Sequence, residues 1–354
     1  MAQVLAAFAE TVKAAGSAGK RLRLRGGGTK DFYGQLLEGE ILDTRRYVGI
    51  VAYDPTELVI TVRGGTRLAE VEAALAAERQ MFAFEPPHFG DDATVGGAVA
   101  TGLSGPRRAA AGALRDFVLG VRIIDGRGQD LSFGGRVMKN VAGYDVSRLM
   151  AGAFGTLGIL LEVSLKVSPV PVAEATLRFE LPDAKAIEAV NRWAGKPLPI
   201  GATAYTDGEL HVRLSGAAAA VREACQKLGG EQVESTQAAR FWISIREQTD
   251  PFFAGDEPLW RLSVPSVTPQ LLLEGRSLVE WGGSLRWLKS HAPAHAIRDL
   301  ASRVGGHATL FRGGEKEAGV FHPLPPATAR IHARLKAEFD PHGVFNRGRM
   351  YADL

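Results

Sequence analysis

The sequence predicts an α+β protein of two parts. In the first half, glycine-rich segments lie among short strand-like runs, and no long amphipathic helix follows the first of them, as a Rossmann or P-loop unit would require. After Pro169 and Pro171 the pattern changes to strands that alternate with amphipathic helices, which is typical of an antiparallel sheet covered by helices. These two prolines therefore mark a domain boundary.

The elements follow in chain order. A surface helix opens the chain with Leu5, Phe8 and Val12 facing inward. Helices are also predicted at residues 66–79, 184–194, 217–228, after Pro293 and at 324–339, with a short one ending at Met150. Strands are predicted at residues 21–25, 47–53, 57–63, 81–84, 118–124, 130–133, 159–167, 175–180, 202–205, 209–214, 260–264, 278–280, 285–288 and 308–312.

Composition and charge restrict the class of protein. The chain has 354 residues, of which 45% are hydrophobic and 23% charged, which suits a globular protein of two domains or one large one. The net charge is +3 with scattered Lys and Arg, so no nucleic-acid surface is expected. The single cysteine, Cys225, excludes internal disulfides and any iron–sulfur cluster held by this chain's own cysteines. Without an apolar run of ~20 residues we expect no membrane span and a cytoplasmic location.

Glycine-rich segments are the candidate ligand-binding elements. The first, Arg25–Thr29, reads Arg-Gly-Gly-Gly-Thr, and the second runs from Phe84 to Gly105. Segments without bulky side chains let backbone N–H groups approach an anion, and two of them favour a diphosphate over a single phosphate. Asp31 stands where the third glycine of G-x-G-x-x-G would be, which argues against a Rossmann mode of binding. Either segment alone is more often a tight turn than a phosphate-binding loop.

Four motifs, in this order, resemble the FAD-linked oxidases of the vanillyl-alcohol oxidase type. They are Arg25–Thr29, then Pro86-Pro87 with Thr94–Gly97, then Tyr144-Asp145 with Gly155–Ile159, and finally the tail Phe339–Met350. The resemblance covers residues ~20–170 and the last ~20 residues. Within that family, the short length, the KNVAGYD run at 139–145 and the patch at 281–288 look most like the FAD-binding subunits of bacterial glycolate oxidases.

The resemblance implies a bipartite FAD-binding domain of the PCMH type with an α+β cap. Residues 1–170 would form the FAD domain, residues 171–320 the cap, and residues 321–354 a segment that returns to the FAD domain. FAD would be bound non-covalently, because Thr29 and Lys30 stand in the loop where covalently linked relatives carry a histidine.

The resemblance also implies the residues around the cofactor. Gly26–Thr29 and Thr94–Gly97 would face the diphosphate, and Gly155, Thr156 and Ile159 would lie along the adenosine and ribityl parts. The full set is Gly26, Gly27, Gly28, Thr29, Pro87, Thr94, Val95, Gly96, Gly97, Thr101, Gly102, Gly105, Gly155, Thr156, Ile159 and Asn346, the last at the edge of the isoalloxazine.

The activity implied is oxidation of a small 2-hydroxy acid, glycolate to glyoxylate. Such chemistry needs a cation for the substrate carboxylate and a base for the hydroxyl proton. Arg286 and Arg312 are candidates for the cation, and His307 and His322 for the base, although surface arginines and capping histidines are the ordinary alternative. Relatives that act alone carry a metal-binding histidine motif that is missing here. The pair His291 and His295 has no acidic third ligand, so no metal site is expected.

Two functions remain open at this point. The chain either oxidises substrate at its own flavin or is a flavin-binding subunit without a complete substrate site. The second predicts a complex with a larger FAD-containing catalytic subunit and an iron–sulfur subunit, held at the inner face of the membrane through these partners. Residues 284–288 would then form part of the docking surface. The alternative is a stand-alone FAD-dependent dehydrogenase of 2-hydroxy acids such as D-lactate, or a sugar oxidase of the same fold.

Overall fold

The computed structural model describes residues 1–36, 38–135 and 145–354. The KNVAGYD run therefore lies outside the described residues, apart from Asp145. Up to Pro169 the helices are α1 (Ala2–Ala18), α2 (Leu68–Ala77), α3 (Val95–Thr101), α4 (Arg108–Ala111), α5 (Leu114–Phe117) and α6 (Val146–Leu149). The strands of this part are β1 (Leu22–Arg25), β2 (Glu40–Asp43), β3 (Ile50–Asp54), β4 (Val59–Arg63), β5 (Gln80–Met81), β6 (Val118–Ile124), β7 (Asp130–Gly134), β8 (Ile159–Lys166) and β9 (Ser168–Pro169).

An antiparallel sheet with strand order β3-β4-β8-β6-β7 is the centre of this first part. Alternate residues of β4, such as Ile60 and Val62, are fully buried, and Val163 of β8 is paired with Val62. Helix α2 presents Leu68, Val71 and Leu75 to the same core, as its predicted apolar stripe requires. A separate parallel pair, β1 and β2, leads into the first glycine-rich segment.

The second part is a larger antiparallel sheet with its own helices. Its helices are α7 (Asp183–Ala194), α8 (Ala218–Leu228), α9 (Ser235–Glu247) and α10 (Ala294–Arg303). Its strands are β10 (Ala173–Glu180), β11 (Ile200–Thr206), β12 (Glu209–Gly216), β13 (Glu231–Val233), β14 (Leu259–Ser263), β15 (Arg276–Glu280), β16 (Leu285–Lys289) and β17 (His307–Arg312), in the order β13-β10-β12-β11-β15-β16-β14-β17.

The two faces of this sheet have different neighbours, because side chains alternate along a strand. In β16, Leu288 packs against α10, whereas Leu285 and Trp287 pack in a cluster with Tyr33 and Phe154 of the first part. One face of this sheet, which we call the cap sheet, therefore packs against α10, whereas the other, the inner face, contacts α9 and the glycine-rich part of the chain.

The C-terminal segment packs against the first strand. Helix α11 (Pro326–Phe339) leads to a tail in which the N–H of Leu22 donates to Val344 O and that of Asn346 to Leu22 O, at 2.8 and 3.0 Å. The buried Lys336 ammonium donates to Asp340 and to the carbonyls of Thr156 and Phe345. These contacts join the tail to β1 and to the third glycine-rich segment, whereas the domain boundaries at 170 and 320 stay a prediction.

Strands β2, β9 and β13 were not predicted, and the strand predicted at 81–84 is only the short β5. Three further differences from the sequence prediction bear on the site and its partners. Residues 95–101 form a helix rather than a loop, and α9 was not predicted at all. Glycine has low helix propensity, which hid α3, and the apolar stripe of α9 consists of only Ala238, Trp242 and Ile245. The proposed docking surface at 284–288 is wrong, because Leu285, Trp287 and Leu288 are buried in the sheet. Among the described residues, no helix is both long and apolar enough to cross a membrane.

Candidate cofactor site

The first glycine-rich segment is held against the second by its main chain. A Cβ on Gly27 would lie 1.5 Å from the carbonyl oxygen of Asp92, and one on Gly26 would lie 2.4 Å from Thr94 Oγ1. Gly28 has φ +74°, a left-handed conformation that favours glycine. Only residues without a side chain allow these two segments to approach so closely.

The second segment contains helix α3, and its Thr94–Gly97 motif begins that helix. Thr94 caps this helix, since its Oγ1 accepts the N–H of Gly97 at 3.2 Å. The N–H of Gly96 donates to Gly64 O at 2.8 Å, and the Thr101 hydroxyl donates to Gly97 O at 3.0 Å. The hydroxyl of Thr101 is thus engaged within the helix, whereas Thr94 accepts a bond and retains its own hydrogen for another acceptor.

Two cavities meet at these segments, and we call their common wall the cradle, defined by Leu24, Arg25, Gly26, Gly97, Ala100, Phe154 and Asn346. The first cavity extends along residues 23–31, and the second extends past Thr44 to residues 158–160. Of the predicted cofactor residues, those that line either cavity are Gly26, Gly27, Gly28, Thr29, Thr94, Gly96, Gly97, Thr101, Gly155, Ile159 and Asn346.

The other predicted cofactor residues do not line these cavities. Val95 packs in the core, and the buried Thr156 hydroxyl donates to Ala153 O at 2.7 Å. Gly105 accepts the indole N–H of Trp281 at 3.1 Å, which ties the second segment to the cap sheet. Pro87 and Gly102 lie in the same segment, where Gly102 ends α3 with φ +64°. The contacts of these residues with a cofactor stay a prediction.

Asn346 connects three parts of the chain. Its Oδ1 accepts the N–H of Leu24 at 2.8 Å, and its Nδ2 donates to the carbonyl of Phe154 at 2.6 Å. A Cβ on Gly155 would lie 2.8 Å from this Nδ2. Both ends of the amide are therefore occupied by main chain, so the side chain fixes the wall of the cradle, and its predicted contact with the isoalloxazine remains untested.

A third and larger cavity, of about 570 Å³, lies beside the cradle and shares Thr29 with the first cavity. Arg312, at the end of β17, lines it together with Phe32, Phe89 and Gln248. Its guanidinium donates to Gln248 Oε1 at 2.8 Å and lies over the Phe32 ring. Burial lowers the pKa of Arg312, and among the described residues no carboxylate oxygen lies within 4 Å of it.

The other candidates for catalysis lie elsewhere. Arg286 is buried inside the cap, where it donates to Gly283 O and Thr268 O, and burial lowers its pKa to about 10. His307 begins the strand that Arg312 ends, about 16 Å away by the rise of a β-strand. His322 accepts the N–H of Ala308 and lies 3.2 Å from Ser302 Oγ. Burial lowers the pKa of both histidines. The four candidates do not converge on one site.

Helix α9, which sequence reasoning missed, supplies one wall of the third cavity. Glu247 accepts the N–H groups of His88 and Phe89 at 3.0 and 2.8 Å, and Arg246 pairs with the same carboxylate at 2.7 Å. The only sequence signal for these residues was the spacing of Trp242 and Ile245. In the parts of the chain that the structure describes, no group of three or more His, Cys, Asp or Glu is placed to hold a metal ion.

The residues present fit FAD. The close glycine contacts leave main-chain N–H groups and small side chains along two adjoining cavities, which suits an anionic diphosphate between two halves of a dinucleotide. A family model described as "FAD binding domain" matches residues 3–134. A solved alkyldihydroxyacetonephosphate synthase has the same fold, with a TM-score of 0.66, 15% identity, and coverage of 96% of this chain and 74% of that chain.

Three named relatives match this chain over different shares of its length. The glycolate oxidase subunit GlcE of Escherichia coli is 50% identical over 98% of this chain and 97% of its own length. A D-lactate dehydrogenase of Anaerostipes hadrus is 34% identical over 39% of this chain and 29% of its own length. The glycolate oxidase subunit GlcD of Bacillus subtilis is 32% identical over 42% of this chain and 32% of its own length.

The family model and the fold define a flavoprotein with an FAD-binding domain and an α+β cap. The relative that matches nearly the whole chain identifies the family more closely. The chain belongs to the family of the glycolate oxidase subunit GlcE.

Proposed function

We propose that this chain is the FAD-binding subunit of a glycolate oxidase complex, in which glycolate is oxidised to glyoxylate. The observation that carries the proposal is the 50% identity over nearly the whole length to a subunit of that name. The cradle supplies the FAD site that such a subunit needs.

We further propose that the chain has no complete substrate site of its own. Arg312 is the only one of the four catalytic candidates that lines the cavity beside the cradle, and neither candidate base lies there. On the inner face of the cap sheet, Phe311 lies 4.7 Å from Tyr33 and 4.9 Å from Trp287 between ring centroids. Aromatic side chains thus fill part of the space between the cap sheet and the FAD domain, which supports the proposal.

The partners follow from the chemistry. Flavin that has accepted two electrons must pass them on, and the single cysteine of this chain cannot hold an iron–sulfur cluster. A larger FAD-containing subunit that oxidises glycolate and an iron–sulfur subunit that relays electrons to quinone would complete the reaction. The chain would then be cytoplasmic, at the inner face of the membrane through its partners.

A spectroscopic experiment tests the proposal. The isolated chain should show an FAD spectrum that glycolate and D-lactate leave unchanged, whereas the co-expressed complex should be bleached by glycolate. An isolated monomer that turns over glycolate at ~1–1000 per second would contradict the proposal. Bleaching of the isolated chain by D-lactate alone would favour the stand-alone dehydrogenase, for which the partial match to a D-lactate dehydrogenase is the weaker support.

The flavin should be held without a covalent bond. Neither histidine nor cysteine occurs among residues 25–30, where covalently linked relatives carry their attachment residue. Acid precipitation should therefore give a colourless pellet and free FAD in the supernatant. A yellow pellet would contradict this expectation and direct attention to His88, which lines the third cavity.

A further inference from the structure

Lys30 is a buried ammonium group beside the cradle. The residue is 7% exposed and lines the first cavity with Gly26–Thr29, Thr94 and Gly97. Its Nζ donates to the carbonyl of His88 at 3.1 Å and lies 3.4 Å from Thr29 Oγ1. Among the described residues, no carboxylate oxygen lies within 4 Å of Nζ, so its hydrogen-bond partners are neutral.

The charged groups around Lys30 already have other partners. Glu247 is the carboxylate whose charge raises the pKa of Lys30, and it already pairs with Arg246 and accepts two backbone N–H groups. Asp31 pairs with Arg23 and Arg25, and the His88 imidazole lies 3.1 Å from Glu72. Arg349 and Lys316 donate to main-chain carbonyls of residues 30–35. Arg312 lies over the Phe89 ring, as Lys30 does.

This surrounding leaves the ammonium uncompensated. Burial of a charge without a counter-charge is costly, and a lysine responds by losing its proton more easily. Accordingly, burial lowers the pKa of Lys30 to about 8, with Glu247 opposing that effect only in part. An anion placed in the first cavity would stabilise the protonated form.

We propose that Lys30 binds the diphosphate of FAD, and that cofactor binding takes up a proton onto its ammonium group. The diphosphate is the group assigned because Lys30 follows directly on the Gly26–Thr29 turn, whose main chain lines the same cavity. Nothing in the glycine pattern requires a lysine here, so this residue adds a titratable contact to a cavity that Arg23, Arg25 and Arg349 also line.

The sign of the pH dependence follows from linkage. The pKa of Lys30 is about 8 in the free protein and rises when an anion is bound. Affinity for FAD should therefore be constant below pH 8 and fall as pH rises towards the higher pKa of the complex. The dissociation constant should increase about tenfold per pH unit in that window, or ~30-fold between pH 7 and 9.5.

Titration of the apoprotein with FAD, followed by flavin fluorescence at several pH values, measures this directly. Lys30→Met should weaken binding at pH 7 by about tenfold or more and remove the dependence on pH. Lys30→Arg keeps a cation that does not titrate in this range, so its binding should stay nearly constant to pH 9.5. The matched control is Lys316→Met, because Lys316 donates to Phe32 O and Gly34 O but lines neither cradle cavity. This variant should show the wild-type dependence of FAD affinity on pH.

Fragments of the cofactor identify the anion. ADP carries the diphosphate without the flavin, and riboflavin carries the flavin without phosphate. Displacement of FAD by ADP should weaken with pH as for FAD and lose that dependence in Lys30→Arg. A dependence seen with riboflavin but not ADP would overturn the assignment to the diphosphate. A wild-type FAD affinity that is flat from pH 7 to 9.5, or a dependence unchanged in Lys30→Arg, would overturn the proposal even if Lys30→Met fails to fold.

Discussion

The cradle and the inner face of the cap sheet are built on opposite principles. In the cradle, main-chain atoms approach so closely that a Cβ on Gly27 would overlap a carbonyl oxygen. On the cap face, the space is filled by large side chains such as Trp281, Trp287 and Phe311. The first arrangement leaves donors and room for a cofactor, whereas in the second the sheet face is covered by packed aromatic rings.

The largest expected effect is at Gly97. Gly97→Asp should empty the FAD site, because a carboxylate about 4 Å from the diphosphate is opposed by ~4 kcal/mol, or ~1000-fold in affinity. Gly97→Ala is the control for size, since its Cβ would lie 3.1 Å from Thr94 Oγ1 and needs only a small shift. The ratio of flavin to protein absorbance measures occupancy. Full flavin content in Gly97→Asp would show that α3 does not face the cofactor.

The glycines of the cradle could be identified from the sequence, whereas the long-range contacts of the cap could not, and the reason is physical. Gly26 and Gly27 were identified from sequence because close main-chain approach requires glycine locally, whatever lies opposite. Contacts between distant side chains leave no such local pattern. Arg107 and Arg213 both bond to Glu85, from 22 and 128 positions away in the chain. Glu247 was missed in the same way, because α9 has a weak apolar stripe and its partners are the N–H groups of His88 and Phe89.

The network around Glu85 gives the next largest effect, because it joins the two regions. Glu85 accepts from Arg107 at 3.0 Å and from Arg213 at 2.8 Å, and the three side chains are 16%, 8% and 7% exposed. Glu85→Gln would leave two buried arginines without part of their counter-charge, so the free energy of unfolding should fall by about 3 kcal/mol. Urea denaturation measures the loss.

Glu188→Gln is the matched control for that change. Its carboxylate pairs with Lys185 on the surface of α7, where the two side chains are 56% and 67% exposed, so the loss should be much smaller than for Glu85→Gln. Equal losses in the two variants would show that the Glu85 network does not lock the cap to the FAD domain.

The smallest expected effect is on the pH dependence of stability and comes from Glu280, a buried carboxyl group at the end of β15. It compares a titrating group in the cap with Lys30 beside the cradle. The Glu280 carboxylate accepts the Trp287 indole N–H at 2.7 Å, and among the described residues no Lys or Arg nitrogen lies within 4 Å. Burial raises the pKa of Glu280 to about 7 from 4.5. The folded state then holds more protons than the unfolded state between pH 4.5 and 7, so the free energy of unfolding should fall by about 1 kcal/mol per pH unit across that window.

Glu280→Gln keeps an acceptor for Trp287 and removes the titration, so the difference in stability between wild type and this variant should change between pH 5 and 8. The exposed Glu231→Gln should leave the wild-type profile unchanged, since its partner Arg178 lies on the surface of β10. Saturating FAD should alter the contribution of Lys30 but not that of Glu280, because only the lysine lines the cradle cavities. A Glu280 profile that disappears when FAD binds would show that the cap face, like the cradle, contacts the cofactor.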